Sequence, residues 1–311
     1  MKNSRKFIFL FLLWFLAVPS ALIVSLSIGS TGTYIFDVFS NRTLRELILD
    51  VRLPRVLSAF IVGASLASAG SALQGILRNP LAEPFILGVS GGAALGGTAA
   101  ILLGLTMSGG MPWVIVFAFA ASAITTLFLS FANRIRGKTT VISLLLTGVV
   151  FNSFSAALIT ISRSVFPMER THQLGFWLSG TIGYESNTTL MIVAIPAIVS
   201  ITALALLGKN LNILALGDST SQTMGIDPSS TRTAVFLWCS LLTAVSVSLA
   251  GLVGFIGLIV PQALRVSISS DQRFLIPASA ATGSIFLMLA DAFCRFLVGF
   301  IGSEFTDHSG P

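Results

Sequence analysis

Residues 56–77 form an uncharged, largely apolar run between a basic tetrapeptide, Arg52-Leu53-Pro54-Arg55, and a stop at Arg78-Asn79-Pro80. At about 1.5 Å per residue, a helix of that length crosses a bilayer core of roughly 30 Å. Within the run Gly63, Ala67, Gly70 and Gln74 recur at helical spacing and share one face. Small residues so placed let two membrane helices approach closely, and an amide among them can hydrogen-bond across the seam. Proline then ends the helix, because it lacks a donor and drives the preceding residue out of the helical region. Glu83-Pro84 extends the break, and Gly88, Gly91, Gly92, Gly96 and Gly97 punctuate the next apolar segment. Irregular backbone between two spans survives in a bilayer only where protein or a water-lined cavity covers it.

The rest of the chain repeats this grammar. Of 311 residues 54% are hydrophobic and 10% charged, against about 25% charged in soluble domains, so the chain is an all-α polytopic membrane protein. Apolar runs fall at residues 7–28, 56–77, 85–107, 111–132, 141–161, 190–207, 233–249, after Gly251 as a run interrupted by Gly254 and Gly257 before Pro261, and 276–297. Nine spans are expected. Lys2, Arg5 and Lys6 precede the first run, which is longer than the h-region of a signal peptide and reads as a retained helix with a cytoplasmic amino terminus. On that topology eleven of the 18 lysines and arginines fall inside and seven outside, as the positive-inside rule requires. The net charge of +6 is therefore a matter of membrane orientation and not of nucleic-acid binding.

Several chemistries are excluded. Cys239 and Cys294 both lie in apolar runs, and His172 and His308 form no clustered ligand set, so transport of a bare transition metal is not expected and no metal site is assigned. A metal already wrapped in a chelate needs no such ligands. Gly137-Lys138-Thr139 lacks both the upstream glycine and the soluble strand of a phosphate-binding loop. An ion-driven secondary transporter would need intramembrane acids, and only Asp291 qualifies. An intramembrane enzyme would need a catalytic set that the two histidines do not supply.

Four linked elements, Arg52–Arg55, Gly63–Gln74, Asn79–Pro84 and Leu87–Ala93, match R-[LI]-P-R, G-A-x-L-A-x-x-G-x-x-x-Q, N-P-L-A-x-P and L-G-x-x-x-G-A in order and spacing. In these the chain resembles the FecCD family of ABC-importer permeases, the membrane subunits that import iron–siderophores, haem and vitamin B12. The resemblance implies a type II ABC importer permease fold in a bacterial inner membrane, one permease domain over residues 1–311. It also implies a second permease subunit around a central pathway, surrounding membrane lipid, a periplasmic or lipoprotein solute-binding protein, and an ABC ATPase subunit. No cofactor is bound by this chain, since ATP is used by the partner subunit and no Walker motif is present.

Residues 210–231 are the one long cytoplasmic segment. Leu216-Gly217-Asp218, Ser221 and Met224-Gly225 read as a short helix with Asp218 as N-cap and Gly225 as the C′ residue. By resemblance this is the coupling helix on which the ATPase acts, with Ser221 and Met224 in place of alanine and leucine. A second signature, Gly254 to Gln262 with Gly257 and Pro261, carries Gln262 and Gln272 where the family has histidines. Asp291 and Arg295 sit four apart in the last span, a favourable helical pair. By resemblance Arg295 joins Arg52 and Arg55 on the outer face, where they meet acids of the binding protein. Gly63, Gly70, Gln74, Asn79, Pro80, Gly88, Gly92, Gly257 and Pro261 are expected to pack the helices around the translocation pathway. The tail, residues 298–311, is expected as an outer turn, with Glu304 its acid and the family's tenth helix missing.

Overall fold

The computed structural model describes residues 2–28, 45–105, 112–135 and 141–307, and among them every regular element is helical. In chain order these are α1 (Lys2–Ser27), a π-helical turn (Leu47–Arg52) that runs into α2 (Leu53–Leu77), a 3₁₀ turn (Pro84–Leu87), α3 (Val89–Leu102) and α4 (Trp113–Ile135). They are followed by α5 (Val141–Val165), α6 (Met168–Leu178), α7 (Asn187–Leu206), α8 (Gly208–Leu214) and α9 (Asp218–Thr223). The last three are α10 (Pro228–Ala250), α11 (Ile256–Ser267) and α12 (Gln272–Asp307).

Among the described residues six helices are long and apolar enough to cross a membrane, and three apolar helices are shorter. The span Leu47–Leu77 is 83% buried, whereas the span in α5 is only 17% buried, so α2 is the axis of the fold and α5 lies at its edge. The sequence explains this placement. Serines, alanines and glycines surround α2 on all sides, so helices can approach it from every direction. A Cβ on Gly63 would overlap the Gly283 carbonyl of α12, and one on Gly70 would overlap the backbone of Gly257 in α11. The four residues on one seam thus serve two partners, Gly63 and Ala67 facing α12 while Gly70 and Gln74 face α11. α1 packs along α12, where Trp14 donates to Thr282 Oγ1 and Ser25 Oγ donates to the Met288 carbonyl.

Two expected spans are broken. The run 85–107 begins with the 3₁₀ turn, passes through Gly88 at φ +87° and, among its described residues, is α-helical over Val89–Leu102. α11 follows a second break, from Gly251 at φ +66° to Phe255 at φ +69°. With 14 and 12 residues, α3 and α11 reach about 21 and 18 Å, short of the roughly 30 Å core. Side chains satisfy the open backbone: Asn152 accepts from the Gly91 N–H and donates to the Phe85 carbonyl, to which Ser90 also donates.

One further expectation, that of the tail, is corrected, and α6 and the place of Pro261 are added to it. The polar segment between α5 and α7 contains a helix, α6, which packs on α3 and whose Arg170 donates to the Leu102 carbonyl. The tail does not turn at Glu304, since the backbone of α12 stays helical through Asp307. Pro261 lies inside α11, where Gln74 of α2 donates to the Gly257 carbonyl.

Candidate functional site

The chemistry divides between the two ends of α2. At the Arg78 end, α2 closes with Arg78 in the left-handed region (φ +50°), its guanidinium donating to the Leu214 carbonyl at 2.5 Å. The same guanidinium reaches Asp218 at 3.4 Å, and Arg232 in the first turns of α10 holds Asp218 at 2.7 Å. Asp218 is therefore the first residue of α9 and not its N-cap: Gly217, at φ +127°, takes the cap position, and the carboxylate is drawn off by two arginines. The other end of α9 is as expected. Gly225 at φ +79° is the C′ residue of a Schellman motif, with Gly225 N–H donating to the Gln222 carbonyl and Ile226 N–H to Ser221. Ser221 is buried, its hydroxyl donating to Gly217, while Leu216 and Met224 stand 67% and 56% exposed. A docked partner would cover such an apolar pair, one residue at each end of a short helix.

α8 ties this segment to the turn between α11 and α12. Asn212 donates to Asp271 Oδ1 at 2.6 Å and accepts from the Gln272 N–H at 2.9 Å. The Arg273 side chain, followed by Asn212, holds the Asp271 carboxyl down to about 2. Gln272, in a place where the family has histidine, is buried and accepts from Ser71 of α2.

At the opposite end, Arg52, Arg55 and Arg295 do gather, but inward. The Asp291 side chain, 4% exposed, accepts from Arg55 at 2.8 Å and from Arg295 at 2.9 Å. Arg295 also donates to the carbonyls of Ser25 and Ile28, and Arg52 to that of Leu26. Two cations thus close the last turn of α1, where unpaired carbonyls and the negative end of the helix dipole favour positive charge. Arg55 is the most open of the set at 22% exposure. It lies over the Tyr184 ring, 5.4 Å from its centre, and lines a cavity of about 500 Å³ with Tyr184 and Asp291. Nearby in the chain, burial pushes the Glu185 carboxyl up to about 7.

Between the two ends lie the residues expected around the pathway. Gly63, Gly70, Gln74, Gly257 and Pro261 are buried at the α2–α11–α12 seams. Gly88 abuts Gly148 of α5, and Gly92 abuts Thr125 of α4. Asn79 and Pro80 are exposed in the turn after α2, where Asn79 accepts from the Leu81 N–H. The structure therefore uses most of this set for packing. Asn152 and Tyr184 were not anticipated; a lone amide in an apolar run was the one available signal for Asn152.

A model of the FecCD transport family matches residues 13–304. The vitamin B12 import system permease protein BtuC of Vibrio cholerae is 34% identical over 282 residues, covering 90% of this chain and 83% of its own. The hemin transport system permease protein HmuU of Yersinia pestis is 33% identical over 297 residues, covering 93% and 86%. Among solved structures, one described as a metal-chelate type ABC transporter in an inward-facing conformation superposes with a TM-score of 0.79 at 29% identity, covering 94% of this chain and 91% of that one.

Proposed function

The chain belongs to the FecCD transport family and is a membrane permease of a metal-chelate-type ABC importer, and on that premise we propose that its cargo is an iron(III)–siderophore complex. A separate ATPase docks on α9 from the cytoplasm, and a solute-binding protein delivers the chelate at the Arg55 end. The permease works with a second permease subunit across a shared pathway. The observation that carries the ATPase contact is the geometry of α9. Its backbone is closed by Gly217 and Gly225, its acid is anchored to α2 and α10, and Leu216 and Met224 are left outward. A push on such a helix reaches the buried axis through Arg78 without first deforming α9 itself. Rigid-body motion of this kind is an established switching mode.

At the other end, two guanidinia share one carboxylate, which leaves a surplus of positive charge for acids on the binding protein. Arg55 makes the contact, while Arg52 and Arg295, closing α1, contribute field alone.

Uptake by proteoliposomes carrying the chain, its ATPase and its binding protein tests the reading. ATP-dependent entry of a ferric hydroxamate, with haemin and cobalamin at background, is the expected result. Entry of haemin or cobalamin instead would reassign the cargo to that of the relatives named for those compounds. Uptake abolished by an uncoupler and indifferent to ATP would overturn the ATPase role.

A further inference from the structure

The two breaks in the membrane helices meet at Glu83. Its Oε1 accepts from the backbone N–H of Phe255 at 2.6 Å, joining the irregular stretch after α2 to the one before α11. Phe255 is the N-cap residue of α11 and holds φ +69°, a conformation that costs a non-glycine residue. A carboxylate at that position supplies an acceptor to an N–H with no intrahelical partner and faces the positive end of the helix dipole. None of the ion pairs among the described residues includes Glu83, so the backbone cap is its recorded role.

The junction is half-open, with Phe255 67% exposed and Glu83 partly buried, and it sits beside α2. Gly257 sits against Pro84 and against α2 at Leu66 and Gly70. Those residues lie 7 to 11 positions from the end of α2 at Leu77, about 10 to 16 Å along the helix and so in the middle third of a bilayer core. In the sequence Glu83 stands in a break beyond the span, and only the fold of residues 79–88 brings it to the start of α11.

The far end of α11 leads to the coupling segment. α11 runs from Phe255 to the turn whose Asp271 and Gln272 are bonded by Asn212 of α8, which continues into α9. A displacement of α8–α9 therefore acts on one end of a 12-residue helix whose other end is held by Glu83. Glu83 in turn is continuous with the 3₁₀ turn and α3, whose Ser90 and Gly91 face a cavity of about 460 Å³ shared with Asn152, Ser155 and Phe255. The buried Ser155 Oγ in that lining has no hydrogen-bond partner.

We propose that Glu83 is a positioning residue of the transport cycle, a carboxylate latch that keeps α11 and the 79–88 re-entrant stretch in register so that movement of the coupling segment reaches the middle of the membrane. The inference rests on the permease reading above. It requires reach more than charge, because the bond is to one backbone N–H.

Three substitutions separate these properties. Glu83→Gln keeps an acceptor oxygen at the same reach and loses the charge. Glu83→Asp keeps the charge and falls short by one methylene, and Glu83→Ala removes both. The first measurement uses the purified chain in detergent with Gly254→Cys as reporter in a Cys294→Ser background. A Cβ at Gly254 would lie 3.6 Å from Glu83 Oε1 with no closer neighbour, and Cys239 is buried. Loss of one hydrogen bond to a backbone N–H corresponds to up to about a tenfold rise in local opening, so maleimide labelling should quicken about tenfold with Ala and Asp and less than about twofold with Gln. The second measurement is ATP-driven uptake in proteoliposomes. Ala and Asp should lose about tenfold in uptake while ATP hydrolysis continues, and Gln should stay within about twofold of the unsubstituted protein.

Labelling unchanged in Ala and Asp, or uptake unchanged in either, overturns the latch. So does Gln behaving as Ala does, which would assign the effect to charge. Should the unsubstituted protein take up no chelate, the cargo reading fails by itself, and the labelling pattern alone then decides whether Glu83 holds the two breaks together.

Discussion

Gln74 of α2 donates its side-chain amide to the carbonyl of Gly257 in α11, at 3.3 Å. That carbonyl lacks its ordinary intrahelical donor, because the residue four positions on is Pro261, which has no N–H. The same amide reaches the Leu258 carbonyl, also at 3.3 Å. A proline can therefore sit inside a short buried helix, its defect repaired from a neighbouring element.

Replacing Gln74 by leucine preserves bulk and removes the donor. Leaving a buried acceptor short costs about 1–3 kcal/mol. Gln74 Oε1 has no donor of its own, so relief of that group places the loss near the lower end. Thermal unfolding of the detergent-solubilised protein should show a lower midpoint for Gln74→Leu, and a lower one still for Gln74→Glu, which offers only acceptors to two carbonyls. An unchanged midpoint for both would mean that the Gly257 carbonyl is satisfied otherwise.

The glycines at the seams and in the coupling segment should respond oppositely to substitution. A Cβ at Gly70 overlaps the backbone of Gly257, so Gly70→Ala forces α2 and α11 apart and should abolish a monodisperse size-exclusion peak. A Cβ at Gly225 meets nothing within 4 Å. The cost of Gly225→Val is confined to its φ of +79°, on the order of 1–2 kcal/mol. That variant should fold and hydrolyse ATP with its partner yet fail to couple hydrolysis to uptake. Normal uptake would remove α9 from the coupling role.

Asp291 and the arginines around it can be separated by burial. Asp291→Asn leaves two guanidinia without their shared carboxylate, and breaking a buried pair from one side costs about 3–5 kcal/mol. Arg55→Gln should cost less, since that side chain is partly open, and should weaken docking of the binding protein at low ionic strength while the fold persists. Arg52 and Arg295 are unsuitable for the same test, because their loss uncaps α1. Docking of the Arg55→Gln protein at unchanged affinity in low salt would place the contact elsewhere.

Stability should fall as pH rises through the Glu185 transition. Burial raises this carboxyl to about 7 in the folded protein, above its ordinary value of 4.5, so the folded state holds the proton more tightly than the unfolded one. The resulting contribution is complete below pH 4.5, is lost between there and about pH 7, and is level above. Midpoints measured from pH 5 to 8 should decline more for the parent protein than for Glu185→Gln. Parallel curves would mean that Glu185 is solvated in the folded state.

What the order of residues determined is what acts within a turn or two of helix. Apolar run lengths marked the membrane elements, proline and glycine marked the breaks at Asn79–Pro80 and Gly251–Gly257, and spacing put Gly63, Ala67, Gly70 and Gln74 on one seam and Asp291 beside Arg295. Gly225 announced its helix end for the same reason, since a C′ residue needs only its own φ.

The tertiary structure decided everything that depends on a partner far along the chain. Asp218 has the chemistry of an N-cap, but Arg78 and Arg232 outcompete the backbone for its carboxylate. Arg52 and Arg295 have the chemistry of a docking surface, but the open carbonyls of α1 lie nearer than any partner protein. Residues 85–107 have the length of a span, but two side chains, those of Asn152 and Ser90, make a broken path tolerable inside the bilayer. In each case the local preference is worth about 1 kcal/mol, little enough for a contact from far along the chain to set the outcome, and no nearby residue records it.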